Sequence, residues 1–269
     1  MNKLRVLDLF SGIGGFSLGL ERTGGFETVA FCEIEPFPRK VLAKHWPGVP
    51  CYDDVRTLTA DRLAADGIAV DVITGGFPCQ DISKAGKKAG IVDGTRSGLW
   101  SEIIRLACEL RPRFIIVENV ANLLAGPSNK PGGWFGRVLG DLAECGYDAQ
   151  WENIPASAVG LPHLRERVWV VAYPQQGLRE DFRLSDTFNV EKLGSRWAPR
   201  KISAFFGCAR RPVQTDRHSL RRDDGFPETM DRLAALGNAV VPQIPELIGN
   251  AILQSMLIRF SPTNQGIDK

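Results

Sequence analysis

The chain has 269 residues and a formal net charge of +2. Hydrophobic residues make up 43% and charged residues 24%, which excludes collagen, coiled coil and intrinsic disorder and is sized for one large domain or a domain with a small appendage. Taken as one number, the charge argues against a surface coated with basic groups for nucleic acid. Val6-Leu7-Asp8-Leu9-Phe10 is an apolar run ending at glycines and predicts a strand. A helix is expected over 16–22, a second strand over 26–32, a helix over 38–45 ended before Pro47, and a third strand over Val70 to Thr74. Leu99, Ile103, Leu106, Ala107 and Leu110 share one helical face. Phe114-Ile115-Ile116-Val117 predicts a strand buried on both faces. A helix over 134–145 and a strand over 168–172 follow. Such βα repeats imply an α/β fold with a doubly wound, mainly parallel sheet, whose ligands bind at the carboxyl ends of the strands.

The pattern stops at Tyr173-Pro174. Between Arg179 and Arg222 lie eleven Lys/Arg against five Asp/Glu, a local net of +6, so the rest of the chain is near −4. From Thr229 order returns, and Ile244, Leu247, Ile248, Ala251 and Ile252 mark an amphipathic helix. The expected organisation is one α/β domain over 1–172 and 231–269, interrupted by a short irregular segment over 173–230. Six cysteines, at 32, 51, 79, 108, 145 and 208, form no C-x-x-C pair, and there are three histidines. No zinc site is expected, and the cysteines read as free thiols of a reducing compartment. The N-terminus shows no signal-peptide pattern. No apolar stretch approaches the roughly 20 residues of a membrane span. A cytoplasmic protein is expected.

Five segments suggest chemistry. Phe10-Ser11-Gly12-Ile13-Gly14-Gly15 follows the first strand, where glycines let backbone approach a ligand. Glu33 comes roughly twenty residues later, where a carboxylate can bond ribose hydroxyls, and Asp54 is a candidate for the exocyclic amine of a base. This spacing is not that of dinucleotide enzymes. Gly75-Gly76-Phe77-Pro78-Cys79-Gln80 places Cys79 beyond the third strand, where a thiolate nucleophile would face a cleft. A packing thiol is an equal reading of the local sequence. Glu118-Asn119-Val120 ends a strand on the same edge; an acid there could protonate a ring nitrogen, although local sequence alone favours a solvated surface group. Arg165 and Arg167, two apart on an extended segment, point the same way and could grip an anion or form an exposed ion-pair cluster. Gly237-Asn238-Ala239 by itself marks only a turn before a helix.

Together, over residues 4–172 and about 230–258, these segments resemble the C5-cytosine DNA methyltransferase family. The match lies in Phe10, Gly12, Gly14 and Gly15, in Pro78-Cys79-Gln80, in Glu118-Asn119-Val120, in Arg165 and Arg167, and in Gly237-Asn238. His163-Leu164 departs from the family pattern, and the 173–230 segment is short for a region that reads DNA. The resemblance implies a Rossmann-like methyltransferase fold. It implies S-adenosylmethionine as cofactor, with S-adenosylhomocysteine as product and no metal. Phe10, Ser11, Gly12, Ile13, Gly14, Gly15, Glu33, Ile34, Asp54, Val55, Pro78, Leu99, Asn238 and Ala239 would bind it. Cys79, Glu118, Arg165 and Arg167 would be catalytic, and Gln80, Ser83 and Asn119 would contact substrate. The implied partner is double-stranded DNA, acted on by a monomer, with a restriction endonuclease as a possible companion. Alternatives are a tRNA cytosine-5 methyltransferase of the same family and an inactive DNA-binding relative. A nicotinamide-dependent oxidoreductase would leave Pro78-Cys79 unexplained.

Overall fold

A computed structural model describes residues 2–78, 99–125, 133–161, 165–175 and 239–259. Cys79, Gln80, Ser83, His163, Asn238 and the basic 179–222 segment lie outside the described residues. Strands β1 (Leu4–Leu9), β2 (Phe26–Cys32), β3 (Cys51–Tyr52), β4 (Val72–Gly75), β5 (Phe114–Val120), β6 (Tyr147–Pro155) and β7 (Glu166–Pro174) form one sheet. The helices are α1 (Gly15–Glu21), α2 (Pro36–His45), α3 (Ala60–Ala65), α4 (Trp100–Leu110), α5 (Gly133–Glu144) and α6 (Gln243–Arg259).

The strand order is β3-β2-β1-β4-β5-β7-β6. The first five of these strands pair in parallel; β7 runs antiparallel to both β5 and β6. The expected doubly wound, mainly parallel sheet is therefore present. Its central strands are buried on both faces, which explains their largely apolar sequences. Leu7, Leu9, Ile73, Ile115 and Val117 pack with Trp100, Ile103, Leu106 and Val138 on one side. Leu4, Val6, Val72, Phe114 and Ile116 pack with Phe16, Leu20, Ile244, Ile248 and Ile252 on the other.

Close backbone approach at two glycines accompanies the side-chain packing of α1 against α6 and the turn before it. A methyl group on Gly19 would lie 2.2 Å from the Pro242 carbonyl, and one on Gly15 would lie 2.5 Å from that of Val240. The chain beyond the basic segment thus returns beside the first glycine loop.

The cysteines need a correction. Cys108, exposed on α4, and Cys145, buried after α5, are joined as a disulfide with their Cα atoms 5.8 Å apart. That distance is ordinary for such a bond. The packing of α4 against α5 brings together residues 37 apart in sequence, so no local spacing announced the pair. Cys32 and Cys51 are free thiols. Among the described residues no helix is long and apolar enough to cross a membrane.

Candidate active site

The parallel strands β1, β2, β4 and β5 end on one edge, and antiparallel β7 begins there. The loop after β1 is left-handed at three positions: Phe10 at φ 52, Gly12 at φ 53 and Gly14 at φ 86. Phe10 holds a conformation that non-glycine residues rarely adopt, a strain typical of functional loops. The loop is fastened to the end of β2. The Gly12 N–H donates to Glu33 Oε2 at 2.7 Å, the Glu35 N–H to Glu33 Oε1 at 2.8 Å, and the Ser11 N–H to the Cys32 carbonyl at 3.3 Å. Gly14 rests on the Trp46 ring, which a methyl group there would approach to 2.6 Å. Glu21 accepts from Trp46 Nε1 at 2.9 Å and so orients that floor.

These residues fit a nucleoside cofactor. Glu33 is 8% exposed with a fixed orientation and lone pairs left for ribose hydroxyls. Ile34, 59% exposed beside it, offers an apolar surface to a base. A methyl group on Gly12 would meet nothing within 4 Å, so the loop borders open space. Ile13 is half-buried, Ala239 precedes the Val240 carbonyl that crowds Gly15, and Leu99 caps α4 against the core. Val55 is buried in the core.

Asp54 is differently engaged. Both of its oxygens accept from the Arg56 guanidinium, at 2.7 to 3.1 Å, and it caps the short turn Val55–Thr57. The hydrogen bond to Arg56 holds its carboxyl below the ordinary 3.8. The turn itself is clamped to α4 by Arg105, which donates to the Val55 carbonyl at 3.0 Å and the Leu58 carbonyl at 2.8 Å.

Across the edge, β4 runs into Gly76-Phe77-Pro78, the last described residues before Cys79. Glu118 faces this turn: a methyl group on Gly76 would stand 3.3 Å from Glu118 Oε2. Glu118 is 9% exposed and lies within β5, which overturns the solvated reading that local sequence favours. Arg167 explains how it is tolerated. The β5–β7 register sets Val120 opposite Arg167, and Arg167 Nε lies 2.9 Å from Glu118 Oε1. Burial pushes the Glu118 carboxyl above its ordinary 4.5, while the charges of Arg167 and Arg165 act against that rise. Asn119, 2% exposed, donates through Nδ2 to the Phe77 carbonyl at 3.0 Å and accepts from the Val120 N–H. Its amide therefore holds the turn before Cys79.

Sequence reasoning gave no role to Asp8, Ser17 or Thr74, all 0% exposed and hydrogen-bonded together. The one signal was a carboxylate inside an apolar strand.

The family described as C-5 cytosine-specific DNA methylase matches residues 4–201. The chain is 38% identical over 173 residues to the type II methyltransferase M2.BsuMI of Bacillus subtilis, covering 63% of this chain and 42% of that one. It is 36% identical over 186 residues to M.Sau3AI of Staphylococcus aureus, covering 65% and 44% respectively. The chain thus spans less than half the length of these relatives. The crystal structure of the Schizosaccharomyces pombe Dnmt2 methyltransferase superposes with a TM-score of 0.64 over 95% of this chain and 100% of that one. At 16% identity that likeness concerns the fold.

Proposed function

We propose that this chain, which belongs to the C-5 cytosine-specific DNA methylase family, methylates C5 of a cytosine rotated out of duplex DNA. The observation that carries the reading is the buried Glu118, held by Arg167 against the turn that leads into Pro78-Cys79. Glu33, Ile34 and the loop from Phe10 to Gly15 would hold S-adenosylmethionine, with Ala239, next to the Val240 that crowds Gly15, and Asn238 completing the set. When bound, that cofactor supplies an electrophilic methyl group to C5.

The chain's own residues make C5 reactive. Cytosine is a poor nucleophile at this carbon. The Cys79 thiolate adds to C6, the C5–C6 π pair becomes a C4–C5 double bond, the C4–N3 π pair moves onto N3, and N3 takes the proton of Glu118. The resulting enamine concentrates electron density at C5. Once C5 is methylated, a base removes its proton, the C5–C6 double bond re-forms as the C6–S bond breaks and the thiolate leaves, and N3 returns its proton to Glu118. A thiolate suits both steps because it is a strong nucleophile and a good leaving group. Arg167, with Arg165 beside it, orients Glu118 and favours its return to the charged form after proton transfer. Asn119 fixes the turn that presents Cys79. None of this chemistry reaches a stacked base, so the cytosine must be flipped out.

DNA is favoured over RNA by the family description and by relatives named type II methyltransferases. That naming also supports a companion restriction endonuclease. Residues 173–230 are proposed as the region that reads the sequence, on the strength of their excess arginine.

Methyl transfer measured side by side on duplex DNA and tRNA tests the reading, and bisulfite sequencing reports the sequence context. Wild-type protein is expected to methylate DNA and to be trapped covalently by a 5-fluorocytosine duplex. Cys79→Ala is expected to bind DNA without transferring methyl. Substantial transfer by that variant, or preference for tRNA, would sink the corresponding part of the proposal.

A further inference from the structure

The Asp8–Ser17–Thr74 cluster serves no step of the reaction above. Ser17 Oγ donates to Asp8 Oδ2 at 2.8 Å and Thr74 Oγ1 to Asp8 Oδ1 at 2.7 Å. Asp8 and Thr74 are register partners across β1 and β4, where the chain's connections diverge to the two sides of the sheet. Ser17 stands two residues beyond the glycine loop, and Thr74 immediately precedes Gly75-Gly76-Phe77-Pro78. One carboxyl group therefore touches the root of each loop that the reaction must hold in register.

A carboxyl is a poor choice if the purpose is stability alone. Burial disfavours its charge and pushes it up to about 7; the negative charge of Glu33, at the end of β2, adds to that rise, while the Thr74 and Ser17 hydroxyls oppose it. Volume-matched apolar side chains would join β1, β4 and α1 without that cost.

We propose that Asp8 is a positioning residue: by holding Ser17 and Thr74 together, it fixes the cofactor loop and the nucleophile-bearing turn relative to each other. The inference rests on the methyltransferase reading.

Three variants test it. Thr74→Val removes the hydroxyl at nearly constant volume, Thr74→Ser keeps it, and Asp8→Asn keeps the shape but cannot accept from both hydroxyls. Misplacement of reacting groups by about 1 Å costs up to about 100-fold in rate. Thr74→Val and Asp8→Asn are accordingly expected to lower kcat by at least about tenfold. Their KM for DNA should stay near the wild-type value, and Thr74→Ser should recover most of the rate. The thermal midpoint separates positioning from stability. A carboxyl raised in the folded state costs nothing below its ordinary 3.8 and progressively more as pH climbs toward about 7. At pH 8 Asp8→Asn is therefore expected to melt no lower than wild type while being slower.

Wild-type rates in Thr74→Val and Asp8→Asn overturn the inference and leave the methyltransferase reading intact. So does an equal loss in Thr74→Ser, or a lowered midpoint for Asp8→Asn at pH 8. If the wild-type protein transfers no methyl group, the reading fails by itself. Calorimetry with S-adenosylhomocysteine then decides the inference: Asp8→Asn should bind it more weakly, and unchanged affinity, or no binding by the wild type, overturns it.

Discussion

At Glu118, burial and a guanidinium pull in opposite directions. Loss of water disfavours the carboxylate, and Arg167 at 2.9 Å favours it. Burial is the larger influence, so the group retains a proton to higher pH than a surface glutamate does. That is the property needed to protonate a ring nitrogen near neutrality. Glu118→Gln keeps the size and loses the proton, and kcat should fall by about 10²–10⁴-fold. Arg167→Ala should do something different. It removes a charge that holds the Glu118 pKa down, so the limb of the pH–rate profile where activity declines with rising pH should move to higher pH. The rate at the optimum should fall as well, because Glu118 loses its orientation. Single-turnover rates across pH read both effects. If that limb does not move in Arg167→Ala, it reports another group.

Close approach between elements sets the second expectation. Alanine ordinarily improves a helix interior by about 1 kcal/mol over glycine. At Gly19 of α1 that gain is outweighed, because the added methyl would stand 2.2 Å from the Pro242 carbonyl, a backbone atom that cannot swing aside. Gly19→Ala should destabilise by about 1–3 kcal/mol. In α5, a methyl on Gly140 would meet nothing within 4 Å, and Gly140→Ala should stabilise by about 0.5–1 kcal/mol. Thermal melts of both variants check the opposite signs. The same dependence on neighbours decides what the sequence made legible. The run Phe114 to Val117 of β5 was readable because burial on both faces leaves no polar alternation to misread, and β1 and β2 were readable from the apolar residues that outnumber Arg5, Asp8, Glu27 and Thr28. β6 was missed: of Tyr147-Asp148-Ala149-Gln150-Trp151-Glu152-Asn153-Ile154-Pro155, only Tyr147 and Ile154 are buried on this edge strand. Missing β6 and the antiparallel course of β7 hid the reason why Arg167 reaches Glu118. The Cys79, Glu118 and Arg167 motifs were visible as family signatures. The roles of Asp8, Ser17 and Thr74 required the β1–β4 register, which no local pattern encodes.

Over the whole molecule, a net charge of +2 is the sum of a +6 segment between Arg179 and Arg222 and a remainder near −4. Duplex DNA would meet these parts unequally. The segment attracts phosphates, while the remainder carries net charge of their own sign, so the catalytic portion adds little counterion release. If five of the segment's eleven Lys/Arg are offset by its five Asp/Glu, about six phosphates are neutralised, and at about 0.9 counterion released per phosphate the plot of log affinity against log salt should have a slope of about −5. A protein coated in basic groups would show about −10. Replacing Arg221 and Arg222 by alanine should reduce the slope by about one for each residue that grips a phosphate. It should leave S-adenosylhomocysteine affinity unchanged, because the proposed cofactor cradle is built from the loops after β1 and β2. Fluorescence anisotropy with a duplex across a salt series, paired with calorimetry of the cofactor product, measures the two quantities separately. A slope near −10 would mean that nearly all eleven Lys/Arg of the segment grip phosphates, or that basic groups of the catalytic portion also face DNA. An unchanged slope in the double variant would remove those two arginines from the phosphate contacts. A shallow slope means weak affinity for arbitrary sequence, and on the proposed reaction the discrimination would then come from base contacts and from capture of the flipped cytosine by Cys79.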